Sequence, residues 1–147
     1  MPAADMVWSK AALSESFFYS NMSPQHPSFN RGIWKRLESR VRKWVSQADS
    51  LYIVTGPKLN MKLNAIGPNK VSVPDYYYKV ILKFHKSQMD AIAFLMPNQA
   101  SKSDLRDYAI TIDALEEDLG IDFFHSLEDS LQSSLENKSD HTKWSWK

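Results

Sequence analysis

The sequence predicts an α+β domain with a largely antiparallel sheet, and three observations carry that prediction. Short apolar runs rich in Val, Ile, Tyr and Phe, each bounded by turn formers, recur at 51–56, 76–84 and 91–96. A strong amphipathic helix precedes them and weaker helical patterns follow them. Strands and helices do not alternate in the strict β-α-β manner that a parallel sheet needs. The 147 residues suit a single domain, 1–147, long enough to bury a real core.

In chain order, residues 5–15 read as a short helix or turn. FFYSN, 17–21, reads as an aromatic strand, and MSPQHPSF, 22–29, as a loop because it holds two prolines. The main helix is expected over 29–48. Ile33, Trp34, Leu37, Val41, Trp44 and Val45 fall within about 120° of one another on a wheel of roughly 100° per residue. Ser28 or Asn30 can cap its start. The Gly/Asn/Pro-rich stretch 57–75 reads as a loop, and DYAITI, 107–112, as another strand. Asp113 and Glu116 have capping-box spacing ahead of Gly120, and 127–136 is a last amphipathic helix. Trp144 and Trp146 stand out in a polar tail, either packed back on the core or exposed as anchors for a protein partner.

Composition narrows the chemistry. Hydrophobic residues make up 43% and charged residues 24%, as in a globular chain. A net charge of +1 gives no global field for an anionic partner, so any nucleic-acid surface must be a local patch. With no cysteine, disulfides, zinc–thiolate sites and thiol nucleophiles are all excluded. No apolar run approaches the roughly 18 residues of a membrane span, and MPAADMVWSK has neither part of a secretory signal.

The main helix carries such a patch. Arg31, Lys35, Arg36, Arg40, Arg42 and Lys43 surround Glu38, the sole acidic residue between 31 and 43. Solvated helix faces usually mix signs, because opposite charges at i,i+4 stabilise them, so this imbalance points to an anion-facing surface. On a regular wheel Asn30 points with the apolar stripe, while Glu38, Arg31 and Arg42 cluster on one flank. A polar group so placed needs a partner, either the helix's own N–H groups or a hard cation that suits an amide oxygen. Glu38 lies about 12 Å further along the axis, where it could hold a metal-bound water more readily than the metal itself.

FYSNMSPQHPSFNRGIWKRLE, residues 18–38, resembles the signature of the DNA/RNA non-specific endonucleases, whose core is the ββα-metal, or His-Me, finger. The likeness continues through LYIVTGP (51–57), IGPNKVSVPDYYYKVIL (66–82), AIAFLMPN (91–98) and LGIDFF (119–124). The resemblance implies a metal-dependent nuclease hydrolysing DNA and RNA through phosphate contacts. Asn30 would be the direct protein ligand to magnesium, with manganese as a substitute. Glu38 would fix water on that metal, Asn21 and Gln25 would shape the site, and Arg42 and Arg31 would face substrate. Relatives are often exported or dimeric, which makes a homodimer an expectation that no residue here specifies.

The family's general base is a histidine in an Asp-Arg-Gly-His motif, which this sequence does not contain. Met1 aligns roughly where the family has the second residue after that histidine. The expectation is an incomplete ββα-metal core whose activity is lost or impaired, with His26 the nearest substitute base. The alternative is a non-catalytic nucleic-acid-binding remnant of the same fold.

Overall fold

The computed structural model describes residues 5–60 and 62–146. Residues 1–4, on which the alignment of Met1 with the family's motif turns, lie outside the described residues.

Alternating side chains of two long strands organise the fold. β4 (Tyr76–His85) and β5 (Gln88–Pro97) form a hairpin, with β1 (Ser50–Lys58) on the far side of β4 and the short β6 (Ala109–Ile110) on the far side of β5. Every pairing is antiparallel. Successive strand residues face opposite ways, and both faces of β4 and β5 are covered. Tyr77, Ile81, Ile92, Phe94 and Met96 meet the main helix on one side. Tyr78, Val80, Leu82, Ala91 and Ala93 meet two helices on the other, α4 (Ile112–Leu119) and α5 (Asp129–Glu136). The result is three layers, with the antiparallel sheet in the middle.

α1 (Lys10–Glu15) is capped by Ser9, whose hydroxyl accepts the Ala12 N–H. The strand expected over 17–21 is instead a helical turn at Tyr19–Asn21. Phe17, Phe18 and Tyr19 are all exposed, and among the described residues no strand pairs with them, so β propensity alone does not make a strand.

The main helix begins earlier than expected and is not uniform. α2 (Pro27–Phe29) has Pro27 in its first turn, where a missing N–H costs nothing. Its cap is His26, whose Nδ1 accepts the Ser28 N–H, rather than Ser28 or Asn30. A π-helical stretch, Asn30–Trp34, follows, with Gly32 at φ −101° and ψ −112°, and then the regular α3 (Lys35–Val45). Phe29, Ile33, Trp34, Leu37, Val41 and Trp44 are buried against the sheet as the apolar pattern requires.

The loop expected over 57–75 contains the end of β1 and a small hairpin, β2 (Asn64–Ile66) with β3 (Val71–Val73), closed by a turn through Gly67 and Lys70 at positive φ. DYAITI shrinks to the two residues of β6, because Leu105–Tyr108 forms a 3₁₀ turn capped by Asp104. α4 starts one residue before Asp113, with Thr111 as its cap, so the Asp113/Glu116 spacing is not a capping box. Gly120 ends it in the left-handed conformation at φ 67°. The tail packs back on the core. The Trp144 and Trp146 rings lie 4.7 and 5.4 Å from Trp44, both edge-on, and Lys83 Nζ donates to the Lys143 carbonyl at 2.7 Å. Trp144 is therefore no exposed anchor for a partner.

Candidate functional site

The loop before the main helix is held to the sheet by two side chains from strand ends. Tyr77 donates to the Pro24 carbonyl at 2.9 Å and is 2.7 Å from Ser23 Oγ. Asn98 accepts the His26 N–H at 2.7 Å and donates to the carbonyls of Pro24 and Pro74 at 3.2 and 2.9 Å. These bonds fix where Gln25 and Asn30 stand. Asn30 Nδ2 donates to Gln25 Oε1 in a short hydrogen bond, so Oδ1 is the amide atom left to take a cation. Both residues come from the sequence signature, and the structure brings them together. Asn21, six residues from Glu15, gives its amide to the Glu15 carbonyl at 3.1 Å and sits exposed at the end of the preceding turn.

Glu38 occupies a different setting. It lines a cavity of about 560 Å³ with Asp5, Val41, Arg42, Val45, Ile53, Thr55 and Lys79, between α3 and the outer part of β1 and β4. Arg42 Nε donates to Asp5 Oδ1 at 2.8 Å. Burial pushes the Glu38 carboxyl up from its ordinary value, against the pull of Lys79 and then Arg42. Opposite it, Lys79 is 4% exposed, donates to Thr55 Oγ1 at 2.7 Å, and lies 4.9 Å from the centre of the Trp34 ring. Its ammonium is lowered to about 8, first by burial and only partly offset by Glu38. Both members of an acid–base pair thus lean toward their neutral forms. Desolvation outweighs their mutual attraction, as expected for charges taken out of water.

Arg31 does not join Glu38 and Arg42 on one flank. It lines a separate pocket of about 340 Å³ with Lys35, Arg36, Arg40 and Lys43, and Arg36 Nη1 donates to the Ser103 carbonyl at 3.2 Å. The wheel fails here because a π turn takes up an extra residue, which rotates what precedes it by about 100° relative to a regular helix. The same offset explains why Asn30 is exposed rather than set among the apolar residues. Arg42 faces the cavity while the other five cations of the helix do not line it.

None of the four histidines lines that cavity. His26 Nδ1 is taken up with Ser28, and His85 Nδ1 is buried without a partner.

Lys79 is the residue that sequence reasoning missed. A lysine inside the run YYYKVIL, in what becomes an inner strand, was the available signal, because a charge there must find a partner. The described residues also place Asp113, Glu116 and Glu136 together, with one carboxylate oxygen of each within 4.8 Å of the others. That cluster belongs to α4 and α5, across the sheet from Glu38, and is no part of the Asn30 site.

Known proteins resemble this chain in sequence, and a solved structure resembles it in fold. The profile of the DNA/RNA non-specific endonucleases matches residues 1–130. The mitochondrial nuclease EXOG of Danio rerio is 32% identical over 91% of this chain and 43% of its own length. A nuclease of Nostoc sp. is 33% identical over 95% of this chain and 54% of its own. Human mitochondrial endonuclease G is 31% identical over 82% and 45%. A crystal structure of the EndoG/EndoGI complex, described as a mechanism of EndoG inhibition, superposes with a TM-score of 0.74 at 30% identity, covering 80% of this chain and 54% of that one. The chain spans about half the length of the curated relatives it matches. The profile match and the shared fold together make this chain a member of the DNA/RNA non-specific endonuclease family.

Proposed function

We propose that this chain is the metal- and phosphate-binding part of a nuclease that hydrolyses DNA and RNA phosphodiesters with magnesium, or manganese in its place. The observation that carries the reading is the Gln25–Asn30 pair, held in place by Asn98 and Tyr77 at the start of a helix that also bears Glu38 and Arg42. The donor set suits a hard cation: a neutral amide oxygen from Asn30, with the Glu38 carboxylate further along the same helix. Magnesium bound there would stabilise charge on the phosphate and on the departing oxygen.

The chain's own groups take the remaining roles. Gln25 holds the Asn30 amide in the orientation that offers its oxygen. Glu38, kept half-buried beside Lys79, accepts hydrogen bonds from water near the metal, and Lys79 favours its ionised form. Arg42, already ordered by Asp5, and Arg31 take phosphate oxygens, which gives contacts indifferent to base and sugar. Asn21 borders the same loop. The sequence holds no Asp-Arg-Gly-His motif, which supports the reading that the general base is missing, and none of the four histidines lines the Glu38 cavity. We therefore infer that the 147 residues bind metal and nucleic acid but cleave slowly or not at all unless a base is supplied. General-base assistance is commonly worth about 10²–10⁴-fold.

The test is plasmid and RNA cleavage with MgCl₂ by the purified chain beside Asn30→Ala, together with a calorimetric Mg²⁺ titration of both. Magnesium binding that depends on Asn30, without cleavage, is the expected result. Absence of any Asn30-dependent binding of Mg²⁺ or Mn²⁺ would sink the metal-site reading. Salt-sensitive DNA binding would then be all that remained, as in a non-catalytic nucleic-acid-binding protein. Cleavage lost in Asn30→Ala would instead show that a substitute base exists, with His26 the first to be changed.

A further inference from the structure

On the face of the sheet away from α3, Asp113 and Glu116 of α4 come together with Glu136 of α5, an oxygen of each lying within 4.8 Å of the others. Three carboxylates at that spacing repel one another unless a cation or a proton intervenes. Asp122 adds to the same negative field, and its Oδ1 accepts from Gln132 Nε2 at 2.8 Å. The second observation concerns Glu136 itself. The residue is 3% exposed; Gln132 donates to its carboxylate, yet Oε1 is buried with no hydrogen-bond donor among the described residues. Buried carboxylate oxygens are ordinarily paired or bound to a metal. Glu116 is committed differently, with Oε1 accepting the Phe123 N–H at 2.7 Å, which holds the loop after α4 beside the cluster.

We propose that Asp113, Glu116 and Glu136 bind one calcium ion, which ties α5 to α4. An all-oxygen, carboxylate-rich set suits a hard divalent cation. Ligands drawn from two helices and open to solvent at Asp113 suit the larger, irregular coordination of calcium better than the strict octahedron of magnesium. The ion would give Glu136 Oε1 the partner it lacks among the described residues, and its two charges would offset about half of the four carboxylates' negative charge. It is separate from the Asn30 site, because the sheet and its two apolar layers lie between them. Its effect is structural. α5 leads directly into the tail that sets Trp144 against Trp44, so fastening α5 also steadies that cover.

The experiment uses the full chain with Asn30→Ala in place, so that failure of the nuclease reading cannot be mistaken for failure of this one. CaCl₂ is titrated calorimetrically, and thermal unfolding is followed by tryptophan fluorescence with and without it. One calcium per chain is expected, with a rise in midpoint of at least about 2 °C at saturation. Glu136→Gln should weaken binding at least about tenfold by removing the buried charge. Asp113→Asn, at an exposed position where folding is not in question, should weaken it as well. Binding that both variants leave unchanged would overturn the proposal. So would a chain whose midpoint and heat are unmoved by CaCl₂, as expected if Glu136 is simply protonated. Equal affinity for MgCl₂ would overturn the choice of ion.

Discussion

Lys79 links stability to pH in a way that a single substitution can isolate. The side chain is 4% exposed, and burial lowers its ammonium to about 8 from an ordinary 10.5. Below pH 8 both folded and unfolded chains carry the proton, so the folded state bears the full cost of a buried charge. Between about 8 and 10.5 the unfolded chain holds more protons, so stability rises with pH across that window. At about 1.4 kcal/mol per unit, the separation of the two values corresponds to about 3 kcal/mol, an upper figure because the ion can relax toward solvent. Tyr77 and Tyr78 act the other way above pH 10, since burial raises both phenols and folding then favours their protonated forms.

Comparison with Lys79→Met cancels those contributions. Urea unfolding of both proteins between pH 7.5 and 9.5, read by tryptophan fluorescence, should show the wild type gaining about 1–2 kcal/mol relative to the variant over that range. The same substitution removes the strongest charge favouring ionised Glu38, so that carboxyl should titrate higher still. Parallel pH profiles for the two proteins would refute the reasoning, because they would mean that Lys79 reaches water and bears no desolvation cost.

Three further outcomes follow from contacts described above. Asn98→Ala removes three hydrogen bonds that seat the 22–29 loop and should cost about 2–4 kcal/mol in urea unfolding, with weaker Asn30-dependent magnesium binding by calorimetry. Gly56→Ala puts a methyl group into the Tyr78 ring end across the β1–β4 pair, and Phe123 already packs against that ring with centroids 5.6 Å apart. A loss of about 1–3 kcal/mol is expected from denaturation. Trp144→Ala opens the cover over Trp44 and should lower stability by about 3–5 kcal/mol. Trp144→Phe should retain most of it, because the indole N–H has no partner to lose.

What the sequence determined by itself was local. Runs such as YYYKVILKF and AIAFLM declared β4 and β5 because β-branched and aromatic residues suit a pleated surface whatever covers it. The spacing of Ile33, Leu37, Val41 and Trp44 declared a helix and its buried face, and the 18–38 signature singled out Gln25, Asn30 and Glu38 as candidates. Tertiary structure decided how those pieces are phased and joined. A wheel assumes constant rotation per residue, so the π turn at Asn30–Trp34 moved Arg31 away from Arg42, and Gly32 inside a helical pattern was the only local hint. FFYSN had the propensity of a strand but, among the described residues, no neighbour to pair with, and a strand exists only through its ladder. Lys79 lines the same cavity as Glu38, and Asp113 comes near Glu136, only because residues from distant segments are packed together. The burial of Lys79, Glu38 and Glu136, and the shifts in proton affinity that come with it, arise from that packing and have no counterpart in residue order.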